Sequence, residues 1–127
     1  MIKEFFDIIK NDRFFHPFPF NEDTIIKIFN AKKDKYHFIY FDRKVVGMYM
    51  LRGWDEGYEV PSFGMIVHPN YRGLGIGKFM LKSALAEAKL LKCKMVRLTV
   101  NNDNEVAKEI YKKVGFKFRD NVGFKKL

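Results

Sequence analysis

The chain has 127 residues, of which 47% are hydrophobic and 17% aromatic, which predicts a single domain over residues 1–127 and excludes a disordered chain. Its 24 Lys and Arg residues outnumber its 15 Asp and Glu residues, giving a formal charge of +9 that attracts phosphates. Because the basic residues are scattered and no nucleic-acid-binding signature accompanies them, a phosphorylated cofactor is favoured over nucleic acid as the partner.

The sequence also argues against a membrane, a metal ion and a reactive thiol. No apolar run is long enough to span a bilayer, and the N-terminus has no signal-peptide pattern. The only cysteine, Cys93, cannot form an internal disulfide, which predicts a cytoplasmic location. Cys93 has no evident activating partner, and His16, His37 and His68 lack metal-ligand spacing.

The N-terminal quarter predicts two helices separated by an aromatic loop. Residues 2–10 place apolar side chains at helical spacing, and Asn21 begins a capping segment for a helix that runs to about Ala31. Between them, the two prolines of residues 14–20 exclude a regular helix. The phenylalanines of this loop either pack on the core or form a wall of a substrate pocket.

Three β-strands are predicted next. Residues 36–41 and 45–51 form a hairpin, and a long strand extends from Tyr58 to Val67. Within that strand Pro61 cannot donate to a ladder and Gly64 has no side chain to pack. The strand is therefore predicted to bulge, or to part from a neighbour, near its middle.

A glycine-rich turn then separates this strand from a helix. The turn spans Val67–Lys78 and reads Val-His-Pro-Asn-Tyr-Arg-Gly-Leu-Gly-Ile-Gly-Lys, and helical periodicity follows over residues 77–92. The first N–H groups of a helix have no internal partner, the helix dipole is positive there, and glycines let a phosphate approach the backbone. The turn therefore predicts an anion site.

The rest of the chain completes the predicted fold. A strand over residues 95–100 makes a β-α-β unit with parallel strands and a right-handed crossover. Asn104 caps a helix that ends before Gly115, and two short strands follow at residues 116–119 and 124–127. The prediction is an α+β fold: a mixed, mostly antiparallel sheet flanked by helices, with a cleft where the two parallel strands part.

The spacing of the glycines excludes two common nucleotide motifs. A P-loop needs Gly and Ser or Thr where this chain has Arg72 and Phe79. The dinucleotide fingerprint G-x-G-x-x-G fails because its last glycine would fall on Lys78 or on Met80.

The segment Arg72-Gly73-Leu74-Gly75-Ile76-Gly77 instead resembles the R/Q-x-x-G-x-G/A signature of the GNAT superfamily of N-acetyltransferases. The flanks match too, with Val-x-Pro-x-Tyr-Arg before the turn and Asn-x-x-Ala-x-x-x-Tyr-x-x-x-Gly-Phe over residues 104–116. The resemblance implies the GNAT-like fold of acyl-coenzyme A N-acyltransferases, with acetyl-coenzyme A as the donor and an amine as the acceptor.

The resemblance also implies a set of donor-binding residues. Backbone groups of Met65 and Val67 would hold the pantetheine arm and polarise the thioester carbonyl, Asn104 would bond the arm, and Lys108 would approach a phosphate. The pyrophosphate would lie on the backbone amides of Arg72, Gly73, Leu74, Gly75, Ile76, Gly77 and Lys78.

Two residues are the catalytic candidates. Tyr111 follows Asn104 by two helical turns on the same face and is the predicted general acid for the departing thiolate, the alternative being a core tyrosine. Glu59, placed on the strand before the parting, is the predicted general base. His68 is an alternative base, although a lone histidine is more often structural.

The predicted activity is transfer of an acetyl group from acetyl-coenzyme A to a primary amine, directly within a ternary complex. Carboxylates beside aromatic rings would suit a small polyamine-like cation or an amino sugar; they are Asp55, Glu56 and Glu59, with Trp54 and Tyr58. The alternatives are acetylation of a protein amine and a non-catalytic acyl-coenzyme A sensor or interaction domain. A partner subunit could complete a sheet edge, which predicts a possible homodimer.

Overall fold

The computed structural model describes residues 1–127 and contains four α-helices and six β-strands. The helices are α1 Ile2–Ile9, α2 Glu22–Phe29, α3 Ile76–Leu90 and α4 Glu105–Val114. The strands are β1 Lys35–Phe41, β2 Lys44–Arg52, β3 Ser62–Val67, β4 Met95–Thr99, β5 Lys117–Arg119 and β6 Val122–Lys126. No helix is both long and apolar enough to cross a membrane.

The six strands form one sheet in the order β1-β2-β3-β4-β6-β5. Only β3 and β4 are parallel, and α3 connects them, whereas every other neighbouring pair is antiparallel. This confirms the predicted α+β fold with its central β-α-β unit. The parallel pair lies at the middle of the sheet, so the site between these strands has structure on both sides.

Helices cover the sheet on two faces, and each face has its own apolar cluster. On one face α3 and α4 pack against the sheet through residues such as Met80, Leu81 and Tyr111. On the other face α1 buries Phe5, Phe6 and Ile9, whose spacing places them on one side of the helix. The two faces are called below the α3/α4 face and the α1/α2 face.

The third strand differs from the prediction in its start and in its irregularity. It begins at Ser62 instead of Tyr58, because the chain bends at residues 59 and 60 and Pro61 has no N–H to donate to a ladder. Its register with β2 is continuous from Ser62 to Val67, so the predicted bulge is wrong. The shift of register lies in β1 instead, at Ile39.

The predicted parting of the strands is confirmed. β3 and β4 are paired at the single rung Ser62–Arg97, where the Arg97 N–H donates to the Pro61 carbonyl at 3.0 Å. Beyond that rung the strands diverge toward their carboxyl ends and leave a gap. The gap and the glycine-rich turn that follows β3 at its open end form the cleft.

Candidate active site

The glycine-rich turn is shaped by two residues in the left-handed region. Gly73 has a φ of 79° and Gly75 a φ of 89°, and no atom lies within 4 Å of the position a Cβ would take at either residue. A side chain at these positions would be strained by the backbone and would project into open space. The glycines therefore keep the turn tight and leave its outer surface clear.

The same turn opens α3 and leaves backbone donors free. Gly75 is the N-cap and has no side chain to accept a bond, and the first helical bond runs from the Phe79 N–H to the Gly75 carbonyl at 3.0 Å. The N–H groups of Ile76, Gly77 and Lys78 therefore have no acceptor within the helix. With the exposed Lys78 beside them, they form a positively polarised site that fits an anion.

Gly77 joins this helix start to β3. A Cβ on Gly77 would lie 3.6 Å from Met65 and 4.0 Å from Val67, which is ordinary contact. These distances show that the first turn of α3 lies directly over the strand. The anion site and the gap between β3 and β4 are therefore adjacent.

The backbone of β3 presents unpaired groups to that gap. The His68 N–H donates to Val46 of β2 at 2.8 Å, and successive residues of a strand direct their backbone groups to alternate edges. The backbone groups of Met65 and Val67 therefore face away from β2 and toward β4, beyond the last paired rung, although the Val67 carbonyl accepts from the Arg72 side chain. A ligand in the gap can bond to the other groups as an added strand would.

The Arg72 side chain forms two hydrogen bonds that the turn motif does not predict. Its Nε donates to the Val67 carbonyl at 3.1 Å, and its Nη2 donates to Asp12 at 3.1 Å. Asp12 also accepts from the N–H groups of Phe14 and Phe15 at 3.0 and 2.9 Å. Burial alone would raise the pKa of Asp12, but these two donors and the guanidinium outweigh it and lower the pKa.

The Arg72–Asp12 pair ties the loop after α1 to the end of β3. The two residues are 60 positions apart, and nothing in the sequence around Asp12 marks it as a partner of the glycine-rich turn. The pair therefore belongs to the functional features that only the fold brings together.

Tyr111 lies close to the gap from the α4 side. Its side chain is buried between the rings of Phe63 at 6.3 Å and Phe116 at 5.8 Å, measured between ring centroids. Phe63 directly follows Ser62 of the last paired rung, so the tyrosine lies near the point where the strands part. Burial raises the pKa of the Tyr111 phenol well above its usual value, which keeps the hydroxyl protonated.

Asn104 and Lys108 already have partners within the chain. The Asn104 side-chain oxygen caps α4 by accepting from the Ala107 N–H at 3.3 Å, which leaves its amide nitrogen for a ligand. Lys108 donates to the Asp120 carbonyl at 2.8 Å, at the turn between β5 and β6, and its ammonium lies over the Phe118 ring. The structure therefore places Lys108 against that turn, and its phosphate contact stays a prediction.

The predicted acidic cluster is dispersed. Asp55 accepts from the backbone N–H groups of Lys32 and Lys33 at 3.1 and 2.8 Å, so it caps the segment before β1. Glu59 is exposed and precedes β3, beside Cys93 and the end of α3, so its predicted place on the strand is wrong. It lies before the Ser62–Arg97 rung, whereas the gap lies after it, and the structure does not bring it together with Tyr111.

The alternative base His68 is structural, and Cys93 is disfavoured as a thiolate. His68 is buried, its Nδ1 accepts from the Asn70 N–H at 3.0 Å, and its ring meets the Tyr71 ring edge-on, in line with a structural histidine. Burial raises the pKa of the Cys93 thiol, which disfavours the thiolate. No group of three or more His, Cys, Asp and Glu side chains is placed to hold a metal ion.

The aromatic loop packs mainly on the core of the α1/α2 face. Phe15, Phe18 and Phe20 join the cluster of α1, and the rings of Phe6 and Phe20 meet at 5.1 Å. Phe15 also reaches β3, where a Cβ on Gly64 would lie 3.4 Å from its ring. The loop therefore both completes a core and borders the cleft.

Together, these features give a helix start with free backbone amides at one end of a gap in a mixed sheet, and a buried phenol beside that gap. The sequence profile described as the acetyltransferase (GNAT) family matches residues 3–116. The chain belongs to the acetyltransferase (GNAT) family and is an acyltransferase.

Two curated relatives come from Bacillus subtilis. The chain is 29% identical over 113 residues to a probable spermine N(1)-acetyltransferase of subspecies natto strain BEST195, covering 81% of this chain and 74% of that protein. The same figures apply to the spermine/spermidine N(1)-acetyltransferase of strain 168.

Solved structures share the fold. A PaiA N-acetyltransferase from Thermoplasma acidophilum in complex with coenzyme A has a TM-score of 0.70 and 22% identity, over 83% of this chain and 68% of that one. A GNAT family acetyltransferase from Elizabethkingia anophelis with acetyl-coenzyme A bound has a TM-score of 0.70 and 16% identity, over 92% of this chain and all of that one.

Proposed function

We propose that the protein, acting as a single domain, transfers the acetyl group of acetyl-coenzyme A to a primary amine of a small molecule, directly within a ternary complex. The observation that carries the proposal is the continuity of the anion site at the start of α3 with the unpaired backbone of β3. A pyrophosphate joined to a long thioester arm fits a site of that shape, with its head on the turn and its arm in the gap.

In this proposal the backbone holds the donor. The free amides from Arg72 to Lys78 bind the pyrophosphate, and the backbone groups of Met65 and the N–H of Val67 bond to the pantetheine arm. A backbone N–H in the gap also polarises the thioester carbonyl as negative charge develops on its oxygen. The amide nitrogen of Asn104, which the helix cap does not use, donates to the arm.

The transfer exchanges one bond for another. The neutral amine attacks the thioester carbonyl, a C–N bond forms and the C–S bond breaks, and the coenzyme leaves as a thiolate. The amine's proton passes to solvent, with Glu59 as a predicted acceptor that acts through water because its carboxylate is exposed. Tyr111 is the predicted donor of the proton that the thiolate needs and is then reprotonated from solvent; burial keeps its hydroxyl protonated but, by raising the pKa, makes it a weaker acid.

The acceptor is less closely defined than the donor. The Bacillus relatives are named for spermine, which makes spermine the first amine to assay. Asp55, however, is engaged by backbone donors and Glu59 lies before the gap, so the carboxylates predicted to bind a cation do not line the cleft together. A cytoplasmic location and a homodimer built on edge strand β1 or β5 stay predictions.

Thermal unfolding with and without acetyl-coenzyme A, followed by an assay of thiol release with a panel of amines, tests the proposal. Ligand at about a hundred times its dissociation constant stabilises the folded state by about 2.7 kcal/mol, which is a shift of several degrees for a chain of this size. Stabilisation with amine-dependent thiol release supports an acetyltransferase. Stabilisation without turnover of any amine would favour the acyl-coenzyme A sensor, and no stabilisation of a folded protein would reject the donor site.

A further inference from the structure

One row of residues crosses the sheet at the rung where β3 and β4 part. Ser62 is paired with Arg52 of β2 and with Arg97 of β4, and Arg97 is paired with Phe124 of β6. Paired residues of neighbouring strands direct their side chains to the same face. Since Val96 and Leu98 are buried in the α3/α4 core, Arg97 lies on the α1/α2 face. Its side chain therefore stands at the vertex of the gap.

The two arginines of this row differ in their partners. Arg52 donates to the Pro17 carbonyl at 3.1 Å, and its guanidinium lies over the Phe18 ring. Arg97 has a buried Nε with no hydrogen-bond partner, the only side-chain nitrogen or oxygen of the chain in that condition. Neither arginine belongs to any ion pair of the structure. A buried charged donor without a partner is costly, and a ligand is one reason for a protein to retain it.

The face around Arg97 is exposed to solvent and its charged residues are all basic. The strand pairings place on it four basic residues, namely Arg97, Lys117, Arg119 and Lys126. Its other residues are Met95, Thr99, Val122 and Phe124, and none is acidic. Phe124 is 39% exposed, so this part of the α1/α2 face is not covered by a helix. A second cation on an acceptor would be repelled here, whereas a carboxylate would be attracted.

We propose that the acceptor is a small amine that also carries a carboxylate, and that Arg97 binds this carboxylate on the open face of β4, β6 and β5. The proposal rests on the acetyl transfer described above and narrows its acceptor. The terminal amino groups of a guanidinium offer planar donors that match the two oxygens of a carboxylate. Bound there, the acceptor has its anionic end at the vertex of the gap and its amine free to reach the thioester.

Three five-carbon amines that differ only in the second group test the proposal: 5-aminopentanoate, 5-aminopentanamide and 1,5-diaminopentane, with spermine as a fourth. We expect kcat/KM for 5-aminopentanoate to exceed that for the amide by about 10- to 100-fold, the usual effect of a hydrogen-bonded charge, and the diamine to be poorest. Arg97→Gln should abolish the preference chiefly through KM, and Arg97→Lys should restore part of it. Arg43→Gln, which removes an exposed arginine at the β1–β2 turn, is the matched control and should keep the preference.

A binding measurement keeps the proposal testable if none of these amines is turned over. Titrating 5-aminopentanoate into the coenzyme A-loaded protein should shift the Nε–H resonance of Arg97 in an ¹⁵N spectrum, and 1,5-diaminopentane should not. A preference of the wild type for spermine or the diamine, an unchanged preference in Arg97→Gln, or no shift at millimolar 5-aminopentanoate would overturn it. Binding of an RNA oligonucleotide that 5-aminopentanoate does not displace and Arg119→Gln abolishes would assign the face to nucleic acid.

The failure of this proposal is distinguishable from failure of the proposed function. Acetyl-coenzyme A should stabilise the wild type and Arg97→Gln to the same extent, because Arg97 does not touch the turn that opens α3. If that stabilisation is present and the amines rank in another order, only the proposal about the acceptor is wrong. If the wild type is not stabilised at all, the donor site is wrong and the acceptor proposal is rejected with it.

Discussion

The proposed donor side and the proposed acceptor side of the cleft are built from different kinds of groups. The donor side is mostly backbone: two left-handed glycines, the free amides of a helix start, and the strand groups of Met65 and Val67. The acceptor side is mostly side chains from separate elements, such as Phe15 from the loop after α1 and Arg97 from β4.

The difference affects how each side tolerates change. A backbone site depends on conformation, so a substitution acts by altering φ or by filling the space that glycine leaves open. A side-chain site depends on charge and shape, so a substitution there can alter which acceptor binds while the donor still binds. The variants below separate these two kinds of site, beginning with the change of largest expected effect.

Gly75→Asp should remove donor binding. The residue has a φ of 89° with open space around it, so aspartate would strain the turn and place a carboxylate where the pyrophosphate lies. We expect the dissociation constant of acetyl-coenzyme A, measured by calorimetry, to rise by at least about 100-fold, which corresponds to about 2.7 kcal/mol.

Gly57→Asp is the matched control for that change. Gly57 has a φ of 94°, also has nothing within 4 Å of a Cβ, and lies in the turn before β3. Both variants should lose about 1–2 kcal/mol of stability through backbone strain. If Gly57→Asp weakens acetyl-coenzyme A binding as much as Gly75→Asp does, backbone strain explains the lost affinity and Gly75 does not mark the donor site.

Tyr111→Phe should lower kcat by about 100-fold with little change in KM, as expected for loss of a general acid. Phenylalanine keeps the contacts with Phe63 and Phe116, so the fold should be retained. Tyr49→Phe, at the other buried tyrosine, is the control and should leave kcat unchanged. If Tyr111→Phe is as active as the wild type in steady-state assays, Tyr111 is a core residue.

Asp12→Asn should destabilise the protein in a pH-dependent way, because it weakens the link between the loop after α1 and the donor turn. The pKa of Asp12 is lowered in the folded state, so its contribution is present above the unfolded value of about 3.9 and is lost as pH falls through the folded value. We expect a deficit of about 1–2 kcal/mol at pH 7 that shrinks progressively as pH falls below about 4.

Denaturant titrations of both proteins at several pH values measure that deficit. Asp103→Asn, at an exposed aspartate before α4, should show no comparable deficit. A deficit for Asp12→Asn that stays constant as pH falls below about 4 would mean that the carboxylate charge does not stabilise the link.

Glu59→Gln should have the smallest effect. Because the carboxylate is exposed and precedes the gap, water can replace most of its role, and we expect kcat/KM to fall by only about two- to fivefold. Glu56→Gln, in the adjacent exposed turn, is the control and should leave kcat/KM unchanged. A loss of 100-fold, seen mainly on the acidic limb of the pH–rate profile, would show that Glu59 contacts the amine directly.

Sequence reasoning was accurate where a local pattern determines a local structure. The helices of residues 2–9 and 105–114, the crossover helix α3, and the order of the strands agree with the prediction, because periodicity and capping residues specify them. The prediction that the third strand begins at Tyr58 is wrong because the chain bends at residues 59 and 60, which strand propensity does not detect. The bulge was wrong because Pro61 precedes β3 and Gly64 keeps regular pairing with Met50.

The donor motif was therefore determined by the sequence alone, since a phosphate-binding turn needs glycines at set positions directly before a helix. What only the tertiary structure decided is how distant side chains meet. Asp55 caps a segment more than twenty residues earlier in the chain, and Asp12 pairs with Arg72 across 60 positions. Arg97 looks in the sequence like any polar residue of a strand, and its position at the vertex of the cleft follows from the pairing of β4 with β3 at a single rung. Backbone geometry is encoded by neighbouring residues, whereas the partners of a side chain depend on which strands the fold places side by side.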